Sequence, residues 1–227
     1  MEISVSVKGV LNRNGKYLLR KNRREEYELL GGKLERTDRS TVERLIQEYK
    51  EESGIGITVQ ELRHPWLYKI GREQTLIVPY VCMADHIPEA LFDEDGGQLD
   101  WIEEADIVNL NMPVGYKDTI GNRLPQISIS HVPEQQKLYH DDRFQVVFIF
   151  MKNGCIFLKE TLKKDHAPYN LFCQNFTAQE VGRLSPQKAI SSPDKIEIYY
   201  EYQEGHKKIE IAKQSRKSAY INIPSES

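Results

Sequence analysis

Cysteine is scarce in this chain of 227 residues: Cys82, Cys155 and Cys173 are its three, widely spaced and without a CxxC pair. That number and spacing argue against a disulfide framework or a structural zinc site. Core packing in a reduced, cytoplasmic compartment is the expected role of each thiol. No apolar run approaches the ~20 residues that cross a bilayer, and residues 1–21, strand-like with scattered charge, have no continuous apolar h-region. Neither a membrane span nor a secretory leader is therefore expected. An excess of one charge is missing too. With 31 Lys and Arg against 34 Asp and Glu, the formal net charge is −3, which provides no basic footprint for nucleic acid. His64 and His86 are isolated, with no partner at metal-ligand spacing.

What is present concentrates between Gly31 and Ile57, in GGKLERTDRSTVERLIQEYKEESGIGI. A glycine pair lets backbone approach a ligand closely. Ser40 followed by Glu43 fits a capping box and starts a helix. Val42, Leu45, Ile46 and Tyr49 recur at the helical period and are expected to face inward. Gly54 suits a left-handed stop, after which Ile55, Ile57 and Val59 alternate as in a strand. Glu48, Glu51 and Glu52 lie at helical spacing, so their carboxylates project together, on a face distinct from the apolar one. Crowded carboxylates repel unless a cation neutralises them, and magnesium takes oxygen ligands of this kind. The alternative is a solvated face, with Arg44 and Lys50 pairing with the acids.

These residues resemble the signature of the Nudix hydrolases, G-x5-E-x7-R-E-U-x-E-E-x-G-U, where U is a bulky aliphatic residue. Gln47-Glu48-Tyr49-Lys50-Glu51-Glu52-Ser53-Gly54-Ile55 aligns with the second half, and Gly31-Gly32-Lys33-Leu34-Glu35 looks like the opening. Four departures stand out. Asp38 replaces the first Glu, the spacer is one residue longer, Gln47 replaces the Arg, and Tyr49 replaces the aliphatic residue. The family's Arg braces the acids from within the helix; Arg44, one turn before Glu48, offers a substitute charge.

The resemblance implies an α/β fold, a mixed sheet between helices, and hydrolysis of the diphosphate linkage in a nucleoside diphosphate joined to another group. It implies Mg2+, or Mn2+, held by Glu48, Glu51, Glu52 and the Gly32 carbonyl. Glu94 and Asp95, in the acidic loop Phe92–Gly97 ahead of Trp101, are the candidate base or additional ligand; a polar turn is the other reading of that loop. Arg20, Arg23 and Arg24, in the basic run before Gly31 and Gly32, are candidate phosphate contacts, or else a solvated loop.

Around this core, residues 3–11 read as a strand turning at Asn14-Gly15 into Tyr17-Leu18-Leu19, and Tyr27 to Leu30 as the short strand delivering the glycines. Ile57 to Tyr68 and Thr75 to Met83 read as two more strands. Within the first, Trp66 and Tyr68 are either core or a platform for a base. Leu99 to Ile102 leads into a short helix over 103–108 and a second over 113–124. The resemblance covers residues 1–126.

Residues 127–143 are polar and read as a linker to a smaller, β-rich domain over 144–227. There Phe144 to Met151 turns at Asn153-Gly154 into Cys155 to Leu158, Thr177 to Leu184 is a short helix, and Lys195 to Ala212 is a hairpin around Glu204-Gly205. The run Met151 to Lys159, followed by Tyr169 to Phe172, echoes Asn12 to Arg20 followed by Tyr27 to Leu30, either as a duplicated scaffold or as a coincidence of generic hairpins. With no acidic helix, this half is expected to serve as lid, substrate selector or homodimer contact. Three functions fit the whole: a Mg2+-dependent hydrolase, a degenerate domain sensing a nucleotide metabolite, or an interaction module built of hairpins.

Overall fold

A long strand with branched residues on both faces, β1 (Glu2–Arg13), is buried from Ile3 to Leu11, and the sheet is built on it. The computed structural model describes residues 2–71, 73–84, 86–88, 91, 98–125, 128–130, 142–163 and 167–203. In chain order β1 is followed by β2 (Lys16–Lys21), β3 (Tyr27–Glu28), α1 (Thr41–Ser53), β4 (Thr58–Leu62), β5 (Trp66–Ile70), β6 (Glu73–Met83) and β7 (Gln98–Glu103). A 3₁₀ turn (Glu104–Asn109), α2 (Val114–Ile120), β8 (Ser128–Ser130), β9 (Phe144–Lys152) and β10 (Cys155–Thr161) come next. The described chain ends with α3 (Pro168–Asn175), α4 (Ala178–Val181), β11 (Leu184–Ser192) and β12 (Lys195–Tyr202).

The sheet is mixed. β1 runs parallel to β6 from Ser4↔Thr75 to Leu11↔Cys82 and antiparallel to β2, while its first residues pair with β9 at Glu2↔Gln145 and Ile3↔Phe144. One buried apolar cluster accordingly runs from Val5, Val7 and Tyr49 through Phe144 and Phe148 to Ile198 and Tyr200. A second packs Trp66, Tyr68 and Tyr116 with Leu19 and Leu29. Trp66 and Tyr68 are thus core residues, 0% and 3% exposed, with Trp66 edge-on to Tyr116 at 5.0 Å.

The C-terminal segment repeats the plan of the first. Asn14-Gly15 and Asn153-Gly154 both adopt positive φ, 54° and 83° in one and 51° and 76° in the other, as a type I′ hairpin requires. Their flanks pair in the same register, Asn12↔Tyr17 and Arg13↔Lys16 against Met151↔Ile156 and Lys152↔Cys155. β12 runs parallel to β9 as β6 does to β1, and each has an antiparallel neighbour that precedes it in sequence, β11 and β5. The hairpin half of the echo therefore extends to topology, whereas Tyr169 to Phe172, set parallel to Tyr27 to Leu30 by the sequence, lies in α3 and not in a strand.

Several expectations need correction. The strand read over Ile57 to Tyr68 is two, β4 and β5, because Pro65 has no N–H and biases His64 towards extended backbone, while Arg63 N turns to Pro79 O at 2.8 Å. The helix expected over 113–124 stops at Ile120, with Gly121 as its C-cap and Asn122 at φ 52°. Lys195–Tyr202 pairs with the preceding β11; residues 204–212 lie outside the described residues. Thr177 caps only the single turn α4, in a reciprocal box with Glu180, before Leu184 opens β11. Sequence reading missed α3, whose Leu171 and Phe172 are fully buried. Within 127–143, Ser128–Ser130 pairs with β5, and residues 131–141 lie outside the described residues.

Candidate active site

The diglycine segment lies against β1: Gly9 N donates to Leu30 O, Val7 N to Gly32 O and Leu34 N to Val5 O, each at 2.9 Å. Gly31 has φ +124°, and a Cβ there would stand 2.2 Å from Val7 O, so only glycine fits. Its N–H donates to Glu52 Oε2 at 2.8 Å, and its carbonyl accepts from Lys8 Nζ at 2.5 Å. The sequence pointed to the Gly32 carbonyl as a metal ligand. That oxygen instead accepts from Val7 N and from Ser6 Oγ at 3.1 Å, which uses both its lone pairs. The Gly31 carbonyl is bonded to Lys8, whose charge acts on both Glu48 and Glu52.

Helix α1 brings the acids to this backbone. Ser40 Oγ accepts from Glu43 N at 3.0 Å, one half of the expected capping box, and Gly54 ends the helix at φ 70° with its N–H on Lys50 O. The buried stripe is Thr41, Leu45, Glu48, Tyr49, Glu52 and Ser53. Glu48 and Glu52 therefore share the inward face with Leu45 and Tyr49, whereas Ile46 is 36% exposed. A Cβ on Gly32 would stand 2.1 Å from the Glu48 carboxyl, so this glycine makes the room that carboxyl occupies. Glu51 faces solvent and accepts from Gln47 Nε2 at 2.8 Å.

Arginines hold both inward carboxylates. Arg44 ion-pairs with Glu48 and lies 4.0 Å from Asp38, so one cation on α1 connects the two acids. Arg20 Nη1 lies 3.2 Å from Glu52 and 3.8 Å from Glu28, its opposite on β3. Burial raises the Glu52 carboxyl to about 7, opposed by Lys8, the Gly31 N–H and Arg20. Burial also raises Glu48, opposed by Arg44 and Lys8.

Of the basic run, Arg20 turns inward, Arg24 bonds Glu26 at 2.9 Å, and Arg23 is exposed. Glu94 and Asp95 lie outside the described residues. Lys8 and Glu28 were missed. Lys8 is 6% exposed, and its signal was a lysine set within the apolar strand Val5, Val7, Val10, where burial demands a partner.

Among the described residues, no three His, Cys, Asp or Glu side chains converge to hold a metal ion. The Glu48 and Glu52 carboxylates, which act on each other electrostatically, both lie against the diglycine backbone, so the donors available here are hard oxygens. One or two carboxylates, completed by water and substrate phosphate, suit Mg2+. Burial disfavours charge on both carboxyls, a cost that a dication offsets. The residues fit the ion.

No family model matches the chain, and no curated protein does. Solved structures similar to it include the E. coli ORF135 protein, at 20% identity and TM-score 0.45, over 54% of this chain and 89% of that one. A NUDIX hydrolase from Nitrosomonas europaea has 17% identity and TM-score 0.43, over 48% and 77%. The MutT protein from Methanosarcina mazei Go1 has 19% identity and TM-score 0.44, over 52% and 91%. In each case the similarity spans about half of this chain. No helix among the described residues is long and apolar enough to cross a membrane.

Proposed function

We propose that the chain is a divalent-cation-dependent hydrolase of the Nudix type, cleaving the diphosphate linkage of a nucleoside diphosphate joined to another group. The observation that carries this reading is the meeting of Glu48 and Glu52, one helical turn apart, with the diglycine backbone, where Gly31 N–H fixes Glu52 and Gly32 leaves room for Glu48. Glu48, Glu52 and the Gly31 carbonyl would hold Mg2+ or Mn2+. Such an ion supplies charge against the phosphoryl oxygens and acidity to a coordinated water. Arg44 and Arg20 orient the two carboxylates, and exposed Arg23 is the residue of the basic run best placed to meet substrate phosphate. Glu94 and Asp95 stay in the proposal as base or further ligand.

Binding of a nucleotide without turnover is the second reading. It draws on Arg44, Arg20 and Lys8, which already offset the charge of Glu48 and Glu52, and on Gln47 at the family's Arg position.

Incubating the protein and Mg2+ with nucleotide sugars, dinucleotides and nucleoside triphosphates separates the two. The expected result is release of phosphomonoester products from one class. Glu48→Gln and Glu52→Gln should then lose more than the roughly 10–100-fold that an outer-shell partner costs. Equal rates in wild type and both variants would remove the assignment; saturable binding without product would favour the second reading.

A further inference from the structure

Lys8 is the one charged residue in the buried stretch of β1. Its ammonium is bonded to the carbonyl of Gly31, whose N–H donates to Glu52, and its charge acts on both Glu48 and Glu52. The repeated segment supplies a comparison within the molecule. Lys8 lies six residues before Asn14, and six residues before Asn153 the equivalent position of β9 is Val147. Among the described residues of that segment there is no acidic helix, so the scaffold does not demand a lysine here. The lysine goes with the acids.

We propose that Lys8 is a built-in cation of the site, which holds the Gly31 carbonyl and, with Arg20 and Arg44, offsets the charge of Glu48 and Glu52 at rest, and which a divalent ion must displace from that oxygen in order to bind. This rests on the proposed metal site and adds to it a competitor covalently part of the chain. A fixed ammonium contributes one positive charge where an incoming dication needs negative charge, and it occupies a ligand oxygen as well. The divalent ion therefore binds more weakly than the two carboxylates alone would dictate, and its retention depends on the phosphates of the substrate for the remaining ligands.

Mn2+ titration of the full chain, read by the electron paramagnetic resonance of the free ion, tests this on wild type, Lys8→Met, Lys8→Gln, Lys8→Arg and Glu52→Gln. Circular dichroism checks that each variant is folded. Lys8→Gln keeps a donor for the Gly31 carbonyl while removing the charge, and so stands in should Lys8→Met fail to fold. Both neutral variants are expected to bind Mn2+ about tenfold more tightly than wild type or tighter, and Lys8→Arg about as weakly as wild type. Equal or weaker Mn2+ binding by the neutral variants overturns the role of Lys8. The metal site is judged separately: it stands if wild type binds Mn2+ and Glu52→Gln does not, and it fails, taking this proposal with it, if no folded variant binds.

Discussion

Gly31 and Gly32 are adjacent, yet adding a methyl group to each should break different things. Alanine at Gly31 meets the backbone oxygen of Val7 at 2.2 Å and has to hold φ at +124°. Gly31→Ala is expected to lower stability by roughly 1–3 kcal/mol in urea denaturation. Gly32→Ala instead meets the Glu48 carboxyl at 2.1 Å, a side chain that can swing away. That variant should unfold near the wild-type midpoint while losing divalent-ion binding and turnover. If both variants fail in the same way, the assignment of Gly32 to the site is wrong.

Glu52 carries the strongest pH signature of the site. Its folded value of about 7 lies above the ordinary 4.5, so the folded state binds more protons than the unfolded one between these limits. The contribution of this group to stability is then full below about 4.5 and declines as pH rises through 7, by up to about 3 kcal/mol in the absence of a divalent ion. Glu52→Gln, which mimics the protonated form, should be at least as stable as wild type at pH 8 while being inactive. A destabilised Glu52→Gln at that pH would mean that the Arg20 pair outweighs burial.

At the scale of an element, α1 was largely legible. Its start at Ser40, its left-handed stop at Gly54 and the positions of Leu45 and Tyr49 follow from capping and period alone. Ser40→Ala should cost about 1 kcal/mol. Gly54→Ala should also cost about 1 kcal/mol; a Cβ there has open space, so the cost is that of holding φ at 70°. Thermal melts of the two variants, with Glu43→Gln as a control, check both. Which carboxylates turn inward was not legible, because residues 45, 48, 49 and 52 and residues 42, 45, 46 and 49 both make an i, i+3, i+4 stripe. Only the seat of the helix against β1 and the glycines selects the first. The same limit applies to β12: its alternation is written in Ile196, Ile198 and Tyr200, but a strand's partner is decided by the turn that closes, here the one between Ser192 and Lys195.

Across the whole molecule, the two repeated segments meet at β1 and β9 and in the shared core, where His64 lies against Tyr200 with its Nδ1 3.5 Å from the hydroxyl. Burial, with Arg63 adding to it, lowers His64 from 6.5 to about 3, so the ring is neutral when folded and protonates on unfolding. Stability from this group is full above about 6.5 and is lost as pH falls towards 3, by several kcal/mol. Wild type should show that acid-side decline in denaturation midpoints, and His64→Gln should flatten it; an unchanged slope would place the acid sensitivity elsewhere. Sequence reading gave both Asn-Gly hairpins and the echo between them. It could not give the strand that joins the segments, because the pairing of Ile3 with Phe144 spans most of the chain and leaves no local trace.

The most direct test of the account is a crystal soaked in Mn2+ together with a slowly cleaved diphosphate analogue. An anomalous peak coordinated by Glu48, Glu52 and the Gly31 carbonyl, with Lys8 moved off that oxygen, is the predicted result. A peak bound elsewhere, or the three oxygens still held by Lys8, Arg20 and Arg44 with the analogue in place, would contradict it.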